Sequence, residues 1–120
     1  MSVQVQRHAL FLAIVLLGVY VWANAQPEAA GLIPPPWDKL AHAAWYATLA
    51  GLLLLGVGRR YWVGLLCGTL LLAGWDEWHQ YALPGRRPRM DDWLADAVGV
   101  ALGLWLSGWG MRKRDAIARQ

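Results

Sequence analysis

The chain of 120 residues has little of what disulfide-bonded domains and soluble catalysts rely on. It has one cysteine, Cys67, so a disulfide within the chain is excluded. This thiol lies among Leu and Gly, where we expect it to be buried and inert. The only serines, Ser2 and Ser107, lie near a terminus and in the last apolar run, so a serine nucleophile is not expected. Phosphate-cradling loops and dinucleotide fingerprints are absent from the sequence.

Four apolar runs separated by brief polar segments make up most of the chain. They are Ala9–Ala25, Leu40–Val57, Tyr61–Trp75 and Trp93–Trp109. Each is roughly 15–18 residues long, near the lower limit for a membrane-crossing helix. No run alternates like a barrel strand, and lipid offers no partner to an unpaired backbone group. We therefore predict an all-α, polytopic membrane protein: one domain over residues 1–120, with transmembrane helices at about 9–25, 39–57, 61–82 and 92–110 and short loops.

The basic residues indicate how these helices are oriented. The formal charge is +3, but the basic residues cluster at the ends of the runs, which fits membrane lipids and not nucleic acid. With four spans, seven of the eleven basic residues share one side: Arg7, Arg59, Arg60, Arg112, Lys113, Arg114 and Arg119. The positive-inside rule then places both termini in the cytoplasm. Alternatively, the first segment is a secretory signal cleaved after Ala25, which would leave three spans.

Polar residues gather at the span ends that face the other side. Helical spacing stacks His42 and Tyr46 above Asp38, and it puts Glu77 and Gln80 on a shared face. A glutamate at this depth needs a cation or a proton, so we predict a pair between Glu77 and Arg86. The residues expected to converge at this face are Asp38, Lys39, His42, Tyr46, Glu77, Gln80, Arg86, Asp92 and Asp96.

Local signals add predictions about helix ends and contacts. Asp38 is predicted to be the N-cap of the second helix, and Asp91 is predicted to be a solvated cap of the fourth. Trp75 and Trp78 fit an aromatic belt at the membrane interface. Spaced glycines are predicted to let helices approach closely: Gly51/Gly56, Gly64/Gly68 and Gly99/Gly103.

The chain resembles a VanZ-like membrane protein over nearly its whole length. The matching motifs, in order, are Asp38-Lys39-x-x-His42-x-x-x-Tyr46, Glu77-x-x-Gln80, Pro84-Gly85-Arg86, and Asp92 followed by Asp96 and Gly99. Asp96 stands where the family usually has Asn, which adds a negative charge or a proton. The resemblance implies four spans in the bacterial inner (cytoplasmic) membrane. It also implies a link to the cell envelope and to glycopeptide (teicoplanin) resistance.

The first interpretation of the polar cluster is a binding site. Lys39, Arg86, Arg87 and Arg89 could hold a phosphate or carboxylate at the outer leaflet, with arginine as the bidentate contact. A membrane lipid or a lipid-linked cell-wall precursor presents such a group at that depth.

Two other interpretations stay open. In an enzyme, Glu77 or His42 would act as general base, Arg86 would stabilise developing negative charge and Gln80 would orient the substrate. In a purely structural network, the same residues would only lock the helix ends together.

A metal centre is the weakest interpretation of the sequence. His42, Glu77, His79 and Asp92 are chemically suitable ligands. The chain has no close pair of histidines or cysteines, so the sequence predicts no metal and no cofactor.

Overall fold

The computed structural model describes residues 1–26, 28, 31–82 and 89–120, and within them the fold is all-α as predicted. The four helices are α1 (Val3–Asn24), α2 (Trp37–Val57), α3 (Trp62–Gln80) and α4 (Met90–Ile117). A single 3₁₀ turn, Arg59–Tyr61, links α2 to α3 after Gly58, whose φ of 96° suits a residue without a Cβ.

Three of these helices are long and apolar enough to cross a membrane, namely α1, α2 and α4. The structure does not establish a fourth span, because α3 carries Asp76, Glu77 and His79 in its last turns and these lower its hydropathy. The four-helix architecture is confirmed, and the predicted count of four spans remains a proposal.

The surface of the bundle is apolar, and small residues fill part of the interior beside large ones such as Tyr46, Leu49 and Leu54. Large side chains such as Phe11 and Leu71 point outwards, and Leu71 is 75% exposed. Buried positions include Ala13, Ala50 and Ala73. Cys67 is exposed on this surface, so the expectation that it is buried is wrong. Large apolar residues that face outwards are expected where lipid replaces water.

The closest helix contact joins α2 and α4. An added Cβ on Gly99 would overlap the Ala43 backbone, and one on Gly103 would overlap the Ala47 backbone. Gly51 faces the Ser107 hydroxyl, and its added Cβ would lie 2.8 Å from that oxygen. These glycines have the predicted packing role.

The prediction fails on α3, where Gly64 and Gly68 face open space with nothing within 4 Å of an added Cβ. The spacing is the same as on α4, but this face of α3 meets no other helix. Small residues at four-residue intervals therefore permit a close approach without specifying one.

The predicted helix caps are not observed. The α2 N-cap position is Pro36, and Asp38 lies one residue inside the helix, where its carboxylate accepts a hydrogen bond from the Lys39 backbone N–H at 2.8 Å. The α4 N-cap position is Arg89, so Asp91 also lies in the first turn. Carboxylates in the first turn still stabilise a helix, because their negative charge lies near the positive end of the helix dipole.

The order of the helices creates two chemically different ends. At one end, which we call the polar end, the first turns of α2 and α4 lie close to the last turns of α3. Two contacts show this: Lys39 donates a hydrogen bond to Asp92, and the Arg89 backbone N–H donates one to Glu77. The "basic end" carries Arg59 and Arg112, which line a common cavity of about 390 Å³.

The glycine contact gives the first prediction. Gly103→Ala should destabilise the bundle by about 1–3 kcal/mol, as overpacking of a tight contact usually does. The measurement is thermal unfolding of the purified protein in detergent.

Gly110→Ala is the matched control, because Gly110 lies on the same helix and an added Cβ there meets nothing within 4 Å. Equal melting temperatures for the two variants would show that the α2–α4 approach is not as close as described.

Candidate functional site

The polar end buries charged and amide groups inside an otherwise apolar bundle. Glu77, Gln80, Asp92 and Asp96 are all buried, and His42 is partly buried beside them. They come from α2, α3 and α4, so the predicted convergence of three helix ends is observed for these residues. Buried charges in lipid surroundings require partners, and the contacts among these side chains define the site.

Lys39 sits at the centre of a carboxylate cluster. Its ammonium group lies 3.2 Å from Asp38 and 3.2 Å from Asp91, and it donates a hydrogen bond to Asp92. One cation thus serves three acids from two helices, which joins the first turn of α2 to that of α4. In this arrangement the Lys39 charge is directed to the protein's own carboxylates.

His42 of α2 and the fully buried Asp96 of α4 form a second polar contact between these helices. The His42 Nδ1 lies 2.8 Å from one Asp96 carboxylate oxygen. The other oxygen, Oδ2, is buried and has no hydrogen-bond partner among the described residues. The Asp96 carboxylate is therefore only half satisfied by the residues that the structure describes.

Glu77 connects α3 to the beginning of α4. Its Oε2 accepts a hydrogen bond from the Arg89 backbone N–H at 3.0 Å, and its Oε1 accepts one from the Gln80 amide at 3.4 Å. The predicted partner, Arg86, lies outside the described residues, as do Pro84, Gly85 and Arg87. The Glu77–Arg86 pair therefore stays a prediction.

His42, Glu77 and Asp96 also approach one another as a group. Each offers one potential ligand atom, and these atoms all lie within 4.8 Å of one another. Of the four ligands considered from the sequence, only His42 and Glu77 belong to this group. The third potential ligand is Asp96, which was not considered as a ligand from the sequence.

Arg89 was considered from the sequence as a contact for an anionic ligand, and in the structure it pairs with a carboxylate of the protein. Its guanidinium makes two parallel hydrogen bonds to the Asp91 carboxylate, at 3.0 and 2.7 Å. The hydrogen bonds that Arg89 donates to Asp91 raise the pKa of Arg89 above its ordinary value, so this group stays charged. Asp91 is correspondingly an ion-pair partner of both Arg89 and Lys39, not merely a solvated cap.

The part that α1 plays at this end was not predicted from the sequence. The Tyr20 hydroxyl donates a hydrogen bond to Asp76. Its ring stacks on Trp45 with a centroid distance of 4.4 Å and meets Tyr46 edge-on at 6.3 Å. Tyr46, one of the predicted site residues, is fully buried behind these rings. No local signal in the sequence links Tyr20 to an acid 56 positions away.

The electrostatic balance of the described site is acidic. The carboxylates of Asp38, Glu77, Asp91, Asp92 and Asp96 face the cations Lys39 and Arg89. Such a site suits a cation in its interior, and an anion can approach only where an exposed cation is released from its acid.

The comparisons with known proteins agree with this architecture. No curated protein and no solved structure matches the chain. The model of the VanZ/LLP1 family matches residues 4–110, a stretch that includes every residue of the polar cluster. Since the match extends over well more than half of the sequence, this membrane protein belongs to the VanZ/LLP1 family.

Proposed function

We propose that this protein binds an anionic headgroup of a membrane lipid, or of a lipid-linked cell-wall precursor, at the polar end of its bundle. The observation that carries the proposal is the exposed Arg89–Asp91 pair. Arg89 is 51% exposed and Asp91 is 46% exposed, both at the rim of the buried cluster. Ion pairs this exposed contribute little to stability because solvent screens them, so a ligand can replace Asp91 at little cost.

The chemistry of the rim fits phosphate. A guanidinium offers two parallel N–H donors, which match the oxygens of a phosphate as well as those of a carboxylate. Lys39 lies beside the same acid and contributes a second charge. Arg86 and Arg87, outside the described residues, are close in sequence to Arg89 and would add to this attraction.

The family link to teicoplanin resistance supports a role in the cell envelope. A protein that binds the headgroup of a cell-wall precursor would change the access of a glycopeptide to that precursor.

A second candidate is catalysis on the bound headgroup. The 2.8 Å contact between His42 and Asp96 supports it, because a carboxylate that holds an imidazole in one orientation prepares it to act as a general base. In this version Glu77 is the alternative base, and the phosphate-bearing lipid is the substrate. Release of free phosphate or a cleaved headgroup would distinguish it from binding alone.

We also propose that α3 is a fourth span and that both termini are cytoplasmic, with the polar end outside. The 19 residues of α3 measure roughly 28 Å, close to the hydrocarbon thickness of about 30 Å. The polar residues of α3 are confined to its last turns, where headgroups can solvate them. The basic end would then face the cytoplasm, in line with the positive-inside rule.

The topology is checked with reporters at each end of the chain. If α3 crosses, cytoplasmic reporters fused at Met1 and after Gln120 should both be active. A three-span protein would place its two termini on opposite sides. Periplasmic activity of either fusion therefore contradicts the four-span arrangement.

Headgroup binding is tested with a polyprenyl phosphate added to the purified protein in detergent. Arg89→Gln should weaken binding about tenfold, equivalent to roughly 1.4 kcal/mol, because a charged bidentate contact is lost. Native mass spectrometry of the complex measures the change.

Arg114→Gln is the control, because Arg114 lies near the far end of α4 and is exposed. If both substitutions weaken binding equally, the attraction is one of net charge and the proposed site is wrong.

The physiological test compares teicoplanin susceptibility with protein abundance. His42→Gln, Glu77→Gln and Arg86→Lys keep a polar group of similar reach, so we expect each variant to insert and to lose resistance. Loss of resistance only in proportion to lost protein would favour a purely structural network.

A further inference from the structure

We propose that His42, Glu77 and Asp96 form a binding site for one divalent transition-metal ion, such as Zn²⁺ or Mn²⁺. The site lies deeper than the rim to which headgroup binding is assigned. It does not depend on headgroup binding, and either proposal can hold without the other.

The geometry brings the ligands near a common point. The three atoms lie within 4.8 Å of one another, and ligands bound at about 2.0–2.2 Å to one ion are roughly 3–4 Å apart. A contraction of roughly 1 Å would complete the site. The 2.8 Å distance between His42 Nδ1 and Asp96 is that of a hydrogen bond and lies slightly below this range, so these two ligands would move slightly apart to bind one ion.

The unsatisfied oxygen of Asp96 is an independent observation that points to a ligand at this position. Asp96 is 0% exposed, and its Oδ2 has no hydrogen-bond partner among residues 1–26, 28, 31–82 and 89–120. A buried polar atom without a partner is rare in folded proteins and calls for an explanation such as an ion. Lys39, a nearby cation, is already shared among Asp38, Asp91 and Asp92.

Charge balance points to a divalent ion. Glu77 and Asp96 place two carboxylates in a low-dielectric interior, and ionised acids are not stable there without compensation. One doubly charged cation neutralises both of them. A monovalent cation or a single proton would neutralise only one of the two acids, and two protons, one of them on His42, are the alternative that the metal titration below distinguishes.

The donor set narrows the choice of metal. An imidazole favours Zn²⁺ and its transition-metal neighbours, while two carboxylates also suit Mn²⁺. Three protein ligands leave a coordination position open for water or for a phosphate oxygen. Gln80 and the Arg89 backbone N–H already orient the Glu77 carboxylate, which is how outer hydrogen bonds hold metal ligands in place.

The test is a metal titration that uses no lipid and no antibiotic. Protein purified in detergent is stripped with a chelator and titrated with Zn²⁺ alone and with Mn²⁺ alone by calorimetry. We expect one ion per chain, and at least a tenfold loss of affinity in Asp96→Asn and in His42→Gln. Asp115→Asn, an exposed acid on the same helix, should bind as the unaltered chain does.

A second measurement keeps the proposal testable if a variant fails to fold. Co²⁺ added to the unaltered chain should give a visible absorption band whose position indicates a nitrogen ligand, and Zn²⁺ should displace it. A chain that binds neither ion, or an Asp96→Asn variant that binds as tightly as Asp115→Asn, overturns the metal site. Loss of headgroup binding in Arg89→Gln with unchanged metal affinity would show that the two sites are separate, as proposed.

Discussion

The close contact of α2 with α4 is the constraint on which the rest of the structure depends. Gly99 and Gly103 let the α4 backbone rest on Ala43 and Ala47 of α2. Asp96 lies one turn before Gly99 on the same stripe, so the contact that seats the glycines also carries this acid towards His42. The α2–α4 interface thus contains both the glycine contacts and the His42–Asp96 contact, and moving the two helices apart would break both.

Because the helices approach so closely, acids that would be unstable alone in an apolar bundle can share cations and donors. Lys39 forms ion pairs with three carboxylates. Glu77 accepts hydrogen bonds from the Gln80 amide and from the Arg89 backbone N–H. The compensation is incomplete at Asp96, where one oxygen is left without a described partner. A structural network would be expected to satisfy its deepest member, so this imbalance favours a ligand.

The distribution of apolar residues follows from the same solvent argument. Lipid gives little reason to bury large side chains, so residues such as Leu71 face outwards, and glycine and alanine occupy the close α2–α4 contact. Trp75 and Trp78 lie at the polar end, both exposed and with their rings 5.2 Å apart in an edge-on contact. The interfacial belt predicted for them stays a prediction, motivated by the stability of indole where hydrocarbon meets headgroup.

The sequence by itself determined the helical class, the approximate position of each helix and the meeting of polar residues at one end. Hydrophobic run length and four-residue spacing are local properties, and they survive in any packing of the chain. What only the tertiary structure decided is which partners meet: Tyr20 with Asp76, Asp91 with Lys39, and Asp96 with both His42 and Glu77. It also decided which glycines are contacts, since Gly103 meets a helix and Gly68 does not. These outcomes depend on the rotation of each helix about its axis, which small differences in packing set and which no single run of residues encodes.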